Sequence, residues 1–359
     1  MDELKITPIW SDSMGAKTMS VRIDTDETSI LIDPGAAVMQ RGYPLDVNRK
    51  YELSNKARCE IEKSSVDVQH VVVTHYHYDH HFLPNTGGID FYKVFDDYRS
   101  IWIKNPNEWI NPSQWKRSRQ FIKALMKDKL DGEEFLRDIE YDAPKKEYED
   151  PLNNLPLLKE IDEGEYSKRR EELHKKWRNK FLRRVEMWRS EKHIKEPLDH
   201  VKFAEGRSFK KGKTKVRFTT PLFHGIEYSN MGWVFGVVIE RNSEKFIYSS
   251  DLHGPTIEDY AKWIIDENPD FLILDGPATY HLGYLLNKFN LDRSIKNASR
   301  IVKKCDFEIM LYDHHLTRGK LFRDRTELVW KTAKDLDKEV LTYREFHEGK
   351  RPLIEEITE

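Results

Sequence analysis

Cysteine is nearly absent from this chain. Its two examples, Cys59 and Cys305, lie far apart and form no CxxC pair, which excludes a disulfide framework and suits a reducing, cytoplasmic setting. Long apolar runs are missing as well, and none approaches the ~20 residues of a membrane span. The opening Met1-Asp2-Glu3-Leu4-Lys5 has neither a basic n-region nor an apolar h-region, so no signal peptide is expected. There is no repeat, low-complexity tract or Gly/Ser linker to mark a free module. An excess of one charge is lacking too. The net charge is -2, although 34% of the 359 residues are charged, above the usual ~25%. Composition alone describes an α/β chain with room for one large domain.

Histidine is what the chain has in concentration. Val71-Val72-Val73-Thr74-His75-Tyr76-His77-Tyr78-Asp79-His80-His81 passes from a β-branched run into four histidines and an aspartate. Val71 to Val73 read as a buried strand. On an extended strand end His75 and His77 point the same way, while Asp79 and His80 fall in the following turn and face a second point. Imidazole and carboxylate are the ligands Zn²⁺ takes without any thiol. The pattern His75-x-His77-x-Asp79-His80 resembles the His-x-His-x-Asp-His hallmark of the metallo-β-lactamase superfamily.

Further matches follow in chain order. The strand Ser29–Ile32 ends in Asp33-Pro34-Gly35, and the resemblance places Asp33 as a brace for the histidine loop, hydrogen-bonded to a ligand imidazole. His224 follows a strand over 215–220 and a proline, matching the third motif. Asp251 closes the strand 245–251 and matches the fourth, in which one carboxylate bridges two metals. Asp313-His314-His315 follows the strand 308–312 and matches the fifth. Alternation on an extended end lets only one of them face the metals, and the resemblance favours His314, because the histidine in similar proteins directly follows a short polar residue like Asp313. His81 is an extra histidine, expected beside the site rather than in it. Tyr280 and His281, just beyond a strand over 270–275, are candidates for substrate contact or proton donation.

A different kind of sequence separates the motifs. Residues 131–165 hold 13 acidic and 4 basic residues, 166–195 hold 12 basic and 4 acidic, and 207–217 add six basic ones. Two apolar stripes, Phe121, Ile122, Leu125, Met126 and Leu173, Trp177, Phe181, Val185, Trp188, have helical spacing. The expectation is a charged helical insertion over 99–205 on a single domain whose core is 1–98 and 206–359. The basic stretch admits nucleic-acid binding, but the neighbouring acidic segment is large enough to neutralise it.

The resemblance, closest to an archaeal branch with a long charged insertion, implies a four-layer αββα sandwich with an inserted helical cap. It implies two divalent cations, Zn²⁺ before Mn²⁺ or iron. One would be held by His75, His77 and His224, the other by Asp79, His80 and His314, with Asp251 between them. The implied chemistry is hydrolysis by a hydroxide bridging the metals, with Asp79 and Asp251 as the catalytic carboxylates. The substrate is expected to be a carboxylic ester, thioester, lactone or phosphodiester. A nuclease using residues 166–217 and a non-catalytic, metal-stabilised interaction module are the alternatives.

Overall fold

Runs of β-branched and aromatic residues supply the strands, since such side chains pack well on a pleated surface. The computed structural model describes residues 3–126, 135–161, 164 and 166–358. Its first sheet carries, in spatial order, Lys5–Ser11, Met19–Asp24, Ser29–Ile32, His70–Val73, Ser100–Ile103 and Val201–Phe203. The second runs Glu339–Leu341, Ile309–Asp313, Phe271–Asp275, Glu244–Tyr248, Val237–Arg241, Thr214–Phe218 and Ser208–Lys211. Both sheets are mixed. From Ser29–Ile32 to Val201–Phe203 the first is parallel. Parallel strands are covered on both faces, and Ser29–Ile32 is buried at every position.

The two inner faces meet through rings such as Trp102, stacked on Phe209 with centroids 5.0 Å apart. The helix Val47–Ser64 buries Leu53, Ala57 and Ile61, and Asp46 caps it by accepting the Arg49 N–H. The helices Glu258–Glu267, Lys288–Lys304 and Glu327–Asp335 cover the second sheet. This is the expected four-layer α/β sandwich. The apolar run 232–239 divides into Trp233–Val234 and Val237–Arg241, with Gly236 between them against the Trp263 ring, where a Cβ has no space. The C-terminal stretch contributes Glu339–Leu341 to the sheet edge and a capped helix, Tyr343–Glu348. Three residues are too few to show a period.

Ser100–Ile103 and Val201–Phe203 lie inside the expected 99–205 insertion, yet they pair with each other as strands of the first sheet. The helical material therefore begins and ends a few residues further in. Its two ends are tied together there. The fully buried Lys104 ammonium pairs with Glu205, whose other oxygen accepts the Asn105 N–H at 2.6 Å.

Within the insertion, Pro112–Met126 and Tyr166–Ser190 form the expected helices. Trp188 is buried against Trp233 of the core, with ring centroids 5.5 Å apart. Part of the basic stretch is paired within the chain, mostly at the surface. Arg170 pairs with Glu227, Arg178 with Asp150, Arg189 with Glu147 and Lys192 with Asp142. The acidic residues at 131, 133, 134, 162, 163 and 165 lie outside the described residues. No helix among the described residues is long and apolar enough to cross a membrane.

Replacing Lys104 with Met leaves a buried carboxylate without its partner, a loss of about 3–5 kcal/mol. Urea denaturation is expected to show that loss in the single variant, and to show most of it recovered in Lys104→Met combined with Glu205→Leu.

Candidate metal centre

The carboxyl ends of the parallel strands gather on one edge of the sandwich, and the chemistry-bearing residues lie there. His70–Val73 leads into His75, Glu244–Tyr248 into Asp251, and Ile309–Asp313 into His314. His75 and His77 stand in the bend beyond the strand, not on its extended end. His80 and His81 turn back on them by donating their backbone N–H groups to the His77 carbonyl at 3.0 and 3.1 Å. Gly35 makes the approach possible: a Cβ there would lie 2.3 Å from the His81 nitrogen. Four residues around the site, Asp33, Ser250, His253 and His314, have φ between 49° and 57°. Side chains rarely adopt that backbone region, and such strain concentrates where function fixes a geometry.

Ligand-type atoms of His75, His77, His224 and Asp251 lie within 4.8 Å of one another, as do those of Asp79, His80 and His314. Asp251 stands between the groups and divides its oxygens between them. Oδ2 lies 3.0 Å from His224 Nε2 and 3.4 Å from His75 Nε2, and Oδ1 lies 3.2 Å from His80 Nε2 and 3.5 Å from His314 Nε2. Despite this proximity, His80 Nε2, His224 Nε2, His314 Nε2 and both Asp251 oxygens are buried without a hydrogen-bond partner among the described residues. Buried polar atoms almost always have partners. A set of lone pairs converging without them is what a divalent cation satisfies, so the residues present fit the group.

The opposite nitrogens of His80 and His314 are held, while His224 Nδ1 is buried without a partner among the described residues. His80 Nδ1–H donates to Asp33 at 2.8 Å, and the same carboxylate accepts from the Thr74 N–H at 2.7 Å and the Tyr248 hydroxyl at 2.7 Å. His314 Nδ1–H donates to Asp12 at 3.0 Å. A carboxylate can only accept, so each Nδ1 carries a proton and each Nε2 is the nitrogen turned inward.

The remaining expected residues are nearby, and the ligand-type atoms of His315 also lie within 4.8 Å of those of Asp251 and His314. His81 turns away, donating Nδ1–H to the His77 carbonyl and placing its ring against Tyr76 and Phe121. His315 bonds Asp275 through Nδ1 at 3.0 Å and lies 4.3 Å from the His253 ring; with His253 and Asp275 it makes a neighbouring cluster. Tyr280 and His281 sit in a short turn packed on Gly319, beside the segment that carries His314, but outside the histidine–aspartate groups.

Sequence reasoning missed Asp12, Arg318, Asp275, His253 and Tyr248. Arg318 pairs with Asp12 and reaches Asp79 Oδ2 at 3.2 Å. Asp12 stands in no motif, and only the folded chain brings it to His314. Asp275, at the end of a buried strand, repeats the placement of Asp33 and offered the one readable signal.

Burial and the neighbouring His80 charge drive His75 down to about 4, and burial holds His77 well below its ordinary value. Burial also opposes charge on His80, but Asp251 and Asp33 outweigh it and lift His80 to about 10. Asp12 and Asp251 likewise raise His314 against burial. Burial favours protonated carboxyls at Asp79 and Asp251, yet the His80 charge, helped at Asp79 by Arg318, holds both well below the usual range.

Residues 16–165 match the metallo-β-lactamase superfamily, whose members bind metal ions. More particularly, the chain's homologues include archaeal UPF0282 proteins. The one from Korarchaeum cryptofilum is 28% identical over 98% of this chain and 92% of its own length. The one from Methanopyrus kandleri is 26% identical over 92% of this chain and 90% of its own. Among solved structures, CmlA, a diiron β-hydroxylase from Streptomyces venezuelae, overlaps at a TM-score of 0.40 and 13% identity, covering 90% of this chain and 51% of that one.

Two outcomes are expected. Zn²⁺ uptake by the chelator-treated chain releases protons from His80 and His314, and affinity weakens as the pH falls from about 8 to about 6; calorimetry in two buffers of different ionisation heat measures this. Asp33→Ala lowers metal affinity by about 10–100-fold, as read by competition with a chromogenic chelator.

Proposed function

We propose that this protein is a metal-dependent hydrolase of ester-type substrates: carboxylic esters, thioesters, lactones or phosphodiesters. The observation that carries the reading is Asp251, whose two buried, unpartnered oxygens face separate histidine groups. In this reading His75, His77 and His224 hold one cation and Asp79, His80 and His314 the other, with Asp251 shared. Zn²⁺ suits the nitrogen and oxygen donors. Bound there, the cations supply Lewis acidity and water ionised near neutral pH.

The chain's own residues do the positioning. Asp33 and Asp12 fix the ring orientation and tautomer of His80 and His314, which keeps reorganisation at the moment of reaction small. Arg318 steadies Asp79 from outside the histidine groups. The strand ends and the closely packed Gly35 loop keep the ligand atoms in a dry edge of the sandwich, where electrostatic effects are stronger than in water. In this reading Tyr280 and His281, in the turn packed on Gly319, are the candidates for substrate contact or proton donation.

The test is a panel of bis(p-nitrophenyl) phosphate, p-nitrophenyl acetate, a thioester and a lactone, with metal content measured by elemental analysis. The metal-loaded chain is expected to hydrolyse at least one. His75→Ala is expected to lose about a thousandfold or more in kcat, since the cations carry most of the charge stabilisation. Full activity in that variant, or a folded chain that takes up no transition metal, overturns the reading.

A further inference from the structure

The two ligand groups are held by different parts of the chain. Asp79, His80 and His314 are braced from the core: Asp33 holds His80, Asp12 holds His314, and Arg318 reaches Asp79. In the other group His75 Nδ1 meets the Thr74 hydroxyl at 3.2 Å, and His224 Nδ1 is buried without a partner among the described residues. What fixes His75, His77 and His224 is their backbone, and the insertion holds it.

Gln114, fully buried on the helix Pro112–Met126, stands between the two loops that carry these histidines. Its Nε2 donates to the Met231 carbonyl at 2.7 Å, and its Oε1 accepts the N–H of Tyr76, between His75 and His77, at 3.4 Å. From the same helix Arg117 donates to the Tyr76 carbonyl at 3.3 Å. The loop that starts at His224 closes on itself, its first N–H donating to the Gly232 carbonyl at 3.1 Å. Every residue from 227 to 231 is then held by the insertion. Glu227 pairs with Arg170 at 3.2 Å, and the Tyr228 hydroxyl donates to Asp150 at 2.5 Å. Arg184 and Asn111 donate to the carbonyls of Ser229 and Asn230, each at 2.9 Å, and Met231 falls to Gln114. The bland account is that buried amides find whatever partners pass nearby. It does not explain why successive residues of one ligand-bearing loop are all held, nor why one side chain spans both loops of the same group. The loop also needs holding, since Tyr228 sits at a φ of 53°, which side chains rarely adopt.

We propose that the insertion is the scaffold of the first cation pocket, and that Gln114 sets that pocket's affinity by fixing His224 relative to His75 and His77. The inference rests on the two-cation part of the hydrolase reading and on no particular substrate. Gln114 is a positioning residue, and its effect is confined to one pocket of the pair.

The experiment measures the Zn²⁺ affinity of the full chain, by competition with a chromogenic chelator, in two backgrounds. His314→Ala keeps the three histidines of the first group, and His224→Ala keeps the second group. Adding Gln114→Met is expected to weaken binding about tenfold in the His314→Ala chain and to leave it unchanged in the His224→Ala chain. A general loss of packing weakens both alike, so equal losses overturn the proposal, as does no loss in the His314→Ala chain. Arg117 is half-buried, and Arg117→Met is expected to give the same pattern at about threefold; it decides the matter should Gln114→Met not fold. An unsubstituted chain that binds a single cation defeats the two-cation reading, while the His314→Ala comparison still decides the role of Gln114. A folded chain that binds none overturns both.

Discussion

One carboxylate, that of Asp251, faces four imidazoles, and neither of its buried oxygens has a hydrogen-bond partner among the described residues. Everything around it is arranged to tolerate that concentration of buried polarity. The strands that end at the site are almost wholly apolar, so their packing can offset the strain and desolvation gathered at their tips. Asp33 is the chief counterweight. It receives hydrogen bonds from a histidine, a backbone amide, a threonine and a tyrosine that reaches it from the opposite sheet. The centre and the contact between the sheets are therefore the same piece of structure.

Much of this was legible before any coordinates. The histidine cluster names its own chemistry, and Asp33, His224, Asp251 and His314 each follow a strand whose composition marks it. These features are local. What stayed hidden depends on long-range contact: Asp12 and His314 are 302 residues apart, and nothing near Asp12 marks it as polar for a reason. The short strands Ser100–Ile103 and Val201–Phe203 were assigned to the insertion because the charged sequence around them masks their few apolar residues. Expecting His75 and His77 on an extended end brought the right rings together for the wrong reason, since the chain has already bent there.

The insertion reads differently in three dimensions than in one. As a string it looks like a basic module with an acidic neighbour. Folded, several of its arginines and lysines hold its own acidic segment, while Arg170 and Arg184 grip the loop after His224 through Glu227 and the Ser229 carbonyl. It packs against the loop that follows His224, and part of its charge is paired within the chain.

The link between Asp12 and His314 has a consequence for how the protein is made. A nascent chain exposes Asp12 and the first histidine cluster early, but His314, the ring that Asp12 holds, emerges from the ribosome only after most of the remainder has been synthesised. The Asp79, His80 and His314 group is thus completed only in the nearly finished polypeptide, and a product cut short before residue 314 cannot assemble it.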